Sequence, residues 1–540
     1  MSLSRSIFAL CGAAVIAACQ TDQGGGEKPT VSLSEAVKVT AKFEGQAFTP
    51  PPRKIEDVER MLKAASGKTP AEVAALKAAA NRAAPTGSTP DDRAASLYQR
   101  AAAGGELGRI KQMRADLAAA LAEGPTDYDI TAKILISRSV AEVASGNLRR
   151  AIEDLETISD RLSSAGRRLQ LAAKTRAALA RHKSKIGDMD GARHDLAVTR
   201  ATIDEVEFRR ARRGGIDVSH AEAMLYRAQG WVALNSGQYK EAEAKARAAL
   251  PLIDREIERE GAREGGSKES FALYSVLTLR KHTKIDILII LARALVHQDR
   301  HSEAEIAARD AVSLSVSTFG RNSPYTVQTL APMIAVLGRT RRLIEARTLS
   351  GIAIDILEDL QVDRDGHILN QARHSLAGIM VASGDWPGAL KVFASIAEAS
   401  GGDDALLDRF HRYDLDRAVA LLQTDRAAEA ARVTGPASRR LSEKLGKKNF
   451  ETALALGLHA VAMHRQGQSK AALESFRGAY RILKQRSRRS EGGTTSSGLA
   501  VRLKLIHEGY LEALARSGHG GASAEAFAVA TLISARSVQA

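Results

Sequence analysis

The chain has 540 residues, of which 44% are hydrophobic but only 4% aromatic. This Ala- and Leu-rich mixture suits packed helices and argues against a β-sandwich, and the length would allow three or four ordinary domains. With 78 Lys and Arg against 63 Asp and Glu, the net charge of +15 favours acidic lipid headgroups, lipopolysaccharide or an acidic protein as partners. Nucleic acid is not expected, because the basic residues look scattered, with local clusters such as Arg209-Arg210-Ala211-Arg212-Arg213 and Arg486-Ser487-Arg488-Arg489.

At the N-terminus, Arg5 precedes an apolar run from Ile7 to Ala18, too short to span a bilayer, and then Ile16-Ala17-Ala18-Cys19 stands ahead of Gln20-Thr21-Asp22. The Ile-Ala-Ala-Cys box resembles the lipobox of bacterial lipoprotein signal peptides. That resemblance implies lipidation of Cys19: cleavage before it, a diacylglyceryl thioether on its sulfur and a third acyl chain on the new amino group. Several acyl chains anchor stably, since each buried methylene adds ~0.8 kcal/mol. Gln20 replaces the Asp that would resemble an inner-membrane retention signal, so the expected location is the cell envelope, at the outer membrane facing the periplasm. Residues 1–18 are thus read as a signal peptide and 19–54 as a lipid-to-domain spacer, with Gly24-Gly25-Gly26 as tether and Phe48-Thr49-Pro50-Pro51-Pro52-Arg53 as extended chain. Cys11 falls in the removed segment and Cys19 is acylated, which leaves no disulfide, cysteine nucleophile or thiolate metal site.

Helical spacing begins at Ile55, Val58 and Met61-Leu62, and a repeat follows. Its clearest copy is Tyr226 to Leu250, with Gly230, Gly237, Tyr239, Ala242, Ala249 and Leu250. These residues stand at the spacing of a tetratricopeptide repeat (TPR), which the segment resembles: small residues on helix A, a Gly-x-aromatic turn, and alanines of helix B at the crossing. Positions equivalent to Ala242 are Ile110, Ala151, Ala192, Ala304, Ala346, Ala389, Ala430 and Ala472. The first three are separated by 41 and 41 residues, and the five from Ala304 onward by 42, 43, 41 and 42. The expected fold is an all-α, right-handed α-solenoid of TPR-like pairs with a period of about 42 residues, longer than the usual 34 of that family. The longer intervals around Ala242, 50 and 62 residues, mark insertions, with Gly261 to Ser267 read as a loop. Gly320 with Thr326 and Gly446 with Thr452, offset by 126 residues, predict one corner used twice. The array is placed at 55–486, a Gly/Ser/Thr-rich linker at 487–499 and a terminal helix pair at 500–540.

No catalytic pattern emerges. His297 and His301 flank a predicted turn and are read as solvent-exposed, while His459 and His464 have no acidic residue placed between them as a metalloprotease base. Gly187-Asp188-Met189-Asp190-Gly191 lacks the remaining calcium-loop ligands and coincides with a repeat turn. Nucleophile elbow, phosphate-binding loop and dinucleotide fingerprint are absent, so neither enzyme activity, metal nor cofactor is expected. Trp231, Tyr239, Trp386 and Phe393 fall at repeat positions and are assigned to inter-helix packing. Stacked pairs create a concave surface built mostly by A helices, suited to a protein or peptide ligand, and repeat register places Arg227, Arg293 and Arg373 on it.

The Pro-rich spacer at Phe48–Arg53, the long-period array and the closing Ala526-Phe527-Ala528-Val529-Ala530 helix together resemble the N-terminal arm of bacterial TPR-CHAT proteins, in which a caspase-like domain follows the repeats. The resemblance implies a caspase-like effector domain as partner, but no residue up to Ala540 matches that domain's catalytic His and Cys. The primary reading is a lipid-anchored, non-catalytic TPR scaffold for protein–protein interaction at the envelope. The regulatory arm of a split caspase-like protease is the second, and a periplasmic enzyme acting on peptidoglycan the third.

Overall fold

The computed structural model describes residues 54–537 apart from 65–68, 84–88, 146, 166–168, 212–218, 263–275, 361, 403, 413, 490–496 and 519. The chain divides into two units, Met1–Pro50 and Pro51–Ala540. The signal peptide, Cys19 and nearly all of the spacer lie outside the described residues, as does most of the predicted Gly261–Ser267 loop.

The described residues contain helices and no strand. Two leading helices, α1 (Glu56–Ala64) and α2 (Pro70–Ala80), precede the repeated pairs. The first five pairs are α3 (Pro90–Glu106) with α4 (Ile110–Ala122), α5 (Tyr128–Ala144) with α6 (Leu148–Ala165), α7 (Leu169–Ile186) with α8 (Met189–Ala211), α9 (Ser219–Asn235) with α10 (Tyr239–Gly261), and α11 (Val276–Val296) with α12 (His301–Phe319). Then come α13 (Pro324–Arg339) with α14 (Leu343–Asp359) and α15 (His367–Ser383) with α16 (Trp386–Ala399). A short α17 (Asp404–Leu407) and a π turn at Asp408–Arg412 interrupt the series before α18 (Leu415–Gln423) with α19 (Ala427–Leu445), α20 (Phe450–Arg465) with α21 (Ser469–Arg489), and α22 (Ser497–Ser517) with α23 (Ala522–Ser537). Both helices flanking the predicted 487–499 linker reach into it, because α21 runs to Arg489 and α22 starts at Ser497.

The repeat has a stereochemical cause. Ala151, Ala192, Ala242, Ala304, Ala346, Ala389, Ala430 and Ala472 are all fully buried, each where helix B crosses helix A and a larger side chain would force the pair apart. Five residues before seven of them the backbone is left-handed: Gly187, Gly237, Asp299, Arg341, Gly384, Asp425 and Gly467 all have positive φ. The next N–H reaches back to the last turn of helix A, as in Gln238 to Ala233 (2.9 Å), Arg342 to Leu337 (2.9 Å) and Arg426 to Leu421 (2.9 Å). This is a Schellman closure, which satisfies a helix-end carbonyl while reversing the chain. Helix B then starts at once, so pairs stay antiparallel and the period holds. Each long interval contains a 23-residue outer helix, α8 or α10, which supplies only part of its excess, and residues 212–218 and 263–275 of these intervals lie outside the described residues.

Three of those left-handed positions lack glycine, and Arg341, at φ 60°, has no short polar side chain to ease the conformation. Replacing the exposed Arg341 by Gly is expected to stabilise the protein by about 0.5–1 kcal/mol, the relief of strain less the extra freedom of the unfolded chain. A rise in the urea midpoint of the full chain checks this, and a fall would contradict it.

The predicted twin corner is present: Thr326 Oγ1 donates to the Gly320 carbonyl at 2.7 Å and Thr452 Oγ1 to that of Gly446 at 3.1 Å. Successive outer helices are stitched by arginines at their starts. Arg300 pairs with Glu243 at 2.7 Å and Arg342 with Glu305 at 2.9 Å. Later pairs of the array meet its first helices: α1 packs on α12 through Asp57 and Arg309, and the Lys111 N–H donates to Asp363 at 3.0 Å. Successive A helices pack directly on each other, whereas B helices mainly touch the A helices beside them, so the A helices form the inner layer.

Candidate partner-binding face

The inner layer carries a concentrated group of charges where α7, α9 and α11 meet. Hydrophobic residues lock the three helices together: Leu225 and Ile290 are fully buried, and Gly230 lets α9 close on α11, since a Cβ there would stand 3.2 Å from Ile290. On this frame Asp286 of α11 accepts from Trp231 Nε1 at 3.2 Å, pairs with Arg181 of α7 at 3.2 Å and faces Arg227 Nε at 3.6 Å. Arg227 is only 7% exposed, and neither its Nε nor that of Arg181 has a hydrogen-bond partner. Two further cations flank the indole: Lys185 Nζ lies 5.2 Å and the Arg293 guanidinium 5.6 Å from the Trp231 ring centre. Both are exposed, at the mouth of the cluster.

The electrostatics follow from burial. Burial pushes the Asp286 carboxyl up, but Arg227 and Arg181 outweigh it and hold the group below the usual range. Burial lowers Arg227 to about 10, so it stays charged at neutral pH. Three histidines are kept neutral around the cluster. Burial first, and then the surrounding cations, take His182 well below its ordinary value, His220 to about 2 and His282 to about 4. Their bonding agrees: Arg280 lies 2.8 Å from His220 Nε2 and Arg181 3.3 Å from His182 Nε2, and a guanidinium can only donate. Arg181 and Arg227 thus share one carboxylate, and Lys185 and Arg293 lie at the indole beside it, a concentration of positive charge that attracts anionic groups.

Of the predicted groove residues, Arg227 and Arg293 come together around Trp231, with Arg227 beneath the surface and Arg293 on it. Arg373 lies apart, paired with Glu358 of α14 at 3.2 Å. Trp231 packs as expected and is 6% exposed, but the reading of packing alone missed the cations on either side of it. Asp286 and Arg181 were missed too, because neither stands at a repeat signature. His297 stacks on Tyr239 with ring centres 4.3 Å apart, while His301 is mostly covered, its side chain 12% exposed, rather than solvent-exposed. Asp188 caps α8 by accepting from the Gly191 N–H at 2.9 Å. Among the described residues no His, Cys, Asp or Glu cluster fits a metal ion, and no helix is long and apolar enough to cross a membrane. The carboxylates that burial raises, Asp310 of α12 and Asp363 of the α14–α15 corner, sit on separate elements.

The chain is an all-α solenoid of TPR-like helix pairs. No family model matches it, and no curated protein does. Among solved structures it is similar to a signal transduction ATPase with a tetratricopeptide repeat sensor from Pyrococcus horikoshii (14% identity, 72% of this chain, 52% of that one, TM-score 0.38). It is also similar to RapI in its apo form (12% identity, 73% and 98% covered, TM-score 0.37) and to yeast Tom70 (12%, 79% and 90%, TM-score 0.31). The chain thus spans about half the length of the first of these.

Proposed function

We propose that this protein is a lipid-anchored scaffold of the bacterial envelope whose inner face captures an acidic segment of a partner protein. The observation that carries the reading is the cationic setting of Trp231: exposed Lys185 and Arg293 flank the ring, and Arg181 and Arg227 below it share a single carboxylate. A Glu- or Asp-rich segment laid along α7, α9 and α11 pairs with the exposed Lys185 and Arg293 at the mouth of the cluster. Repeat surfaces suit such extended ligands because each helix pair adds a strip of contact. Cys19, through its acyl chains, holds the scaffold at the outer membrane.

The anchor is tested by the intact mass of protein extracted from its native membranes. A chain starting at Cys19 and carrying acyl groups is the expected result, and an unprocessed Met1 form contradicts it. For capture, Lys185→Glu with Arg293→Glu is expected to weaken binding of an acidic peptide by about 100-fold, from roughly 1–2 kcal/mol per reversed charge. Unchanged affinity in a titration by calorimetry would rule the face out.

A further inference from the structure

The basic residues that look scattered along the sequence collect in one part of the fold. Residues 426–489 hold 15 Lys and Arg against 4 Asp and Glu, so they account for most of the chain's +15. They span α19, α20 and α21, and α19 and α21 are successive outer helices. Arg439 and Arg481 stand nine residues after the buried Ala430 and Ala472, and so take the same register on neighbouring helices. Both are exposed, together with Arg432 on α19 and with Lys447 and Lys448 in the corner beyond it, and Lys484 lies one turn past Arg481. The same register in the two preceding pairs carries exposed acids, Asp355 after Ala346 and Glu398 after Ala389.

Many of the chain's other arginines are neutralised by ion pairs. Arg138, Arg176, Arg300 and Arg342 are all engaged by carboxylates, as are Arg440 with Asp408 and Arg477 with Glu525 within the basic region itself. Arg432, Arg439, Lys447, Lys448, Arg481 and Lys484 make no ion pair among the described residues. Nor does this face offer aromatic rings for nucleobases: Phe476 is fully buried, and Tyr480 is half-buried with its hydroxyl bound to the Ala528 carbonyl at 2.7 Å. What the face presents is unneutralised charge on the outer side of two neighbouring helices, which matches a plane of phosphate headgroups better than a single threaded segment.

We propose that the outer face of α19 and α21 docks on an anionic lipid surface, a contact separate from the inner-face site and additional to the anchor at Cys19. The membrane setting rests on the lipoprotein reading; the charge match does not. Each Lys or Arg close to such a surface strengthens partition about fivefold.

The test is flotation of the full chain with phosphatidylcholine vesicles, with and without a phosphatidylglycerol fraction, in low salt. The apolar N-terminus contributes to both, so the ratio reports the basic face. Anionic vesicles are expected to bind on the order of 100-fold better, with the advantage fading as salt rises. Arg432→Glu, Arg439→Glu and Arg481→Glu together should abolish it, while Lys240→Glu, Arg255→Glu and Lys391→Glu, equally exposed and equal in charge change, should leave it nearly intact. Equal loss in both triple variants would reduce the effect to net charge and overturn the proposal. So would displacement by millimolar inorganic phosphate, which marks a free-phosphate site, or equally tight binding of a DNA duplex. Cys19→Ser should leave the ratio unchanged whether or not the native protein is acylated, so failure of the anchor and failure of this face are distinguishable.

Discussion

Replacing Asp286 by Ala is expected to cost about 3–5 kcal/mol of local stability. Asp286 is the carboxylate shared by Arg181 at 3.2 Å and Arg227 at 3.6 Å, and it also accepts from the Trp231 indole at 3.2 Å. Without it a guanidinium that is 7% exposed keeps its charge and loses its counter-ion, while the indole N–H loses its acceptor. Such a group is far costlier unpaired than the pair is stabilising. Because repeat arrays couple mainly to nearest neighbours, the loss should be confined to α7, α9 and α11. Hydrogen exchange reads this directly: amides of α9 and α11 should exchange faster while those of α20 and α21 keep their protection. An acidic peptide should restore part of the loss, since it brings back negative charge. Unchanged exchange in Asp286→Ala would mean that water already neutralises the guanidinium.

Mild acid should open the same region. His282 has a folded pKa of about 4, set first by burial, with Arg227 and Arg181 acting in the same direction and Asp286 opposing them. Its unfolded value is near 6.5. A histidine lowered on folding takes up protons in the unfolded chain first, so stability is complete above about pH 6.5 and is lost as pH falls toward 4. At pH 5 this histidine alone costs on the order of 2 kcal/mol. His182 and His220, lowered in the same direction, add to it. His374 behaves oppositely. Burial lowers it, but Asp414, 2.6 Å away, raises it above its ordinary value, so its contribution is full below about pH 6.5 and lost as pH rises through the folded value. It sits on α15, away from the cluster. His282→Phe retains an aromatic ring beside Tyr325, whose ring centre is 4.8 Å away, and should remove about 2 kcal/mol of the difference in stability between pH 7 and pH 5. Urea unfolding at both pH values checks this, and an unchanged difference would contradict it.

The helix-pair plan was legible in the sequence because its constraints are local. An alanine at a helix crossing and a glycine at a left-handed turn leave a strict spacing, and both recur about every 42 residues. The turns at Arg341 and Asp425 were hidden, since each takes positive φ without glycine, whereas the one at Asp299 was read between His297 and His301. Contacts that skip repeats leave no period at all: Lys111 with Asp363, Asp57 with Arg309, and Arg502 of α22 reaching back to Asp416 of α18 at 2.7 Å. The inner-face cluster was half visible. Arg227 and Arg293 follow from register, but Arg181 and Asp286 acquire meaning only when three helices bring them to one indole. The concentration of charge at α19 and α21 was likewise masked, because outer-face arginines alternate with core residues along each helix.

The proposed capture of an acidic segment by the face around Trp231 can be read from the indole itself. The chain has two tryptophans, so Trp386→Phe leaves Trp231 as the sole indole, reporting from the site itself. Titration of this variant with a Glu/Asp-rich peptide should change the Trp231 emission saturably, with an affinity that weakens as salt rises, and a peptide of the same length rich in Lys should leave it unchanged. Emission that ignores the acidic peptide, or responds equally to both, would contradict capture at this face.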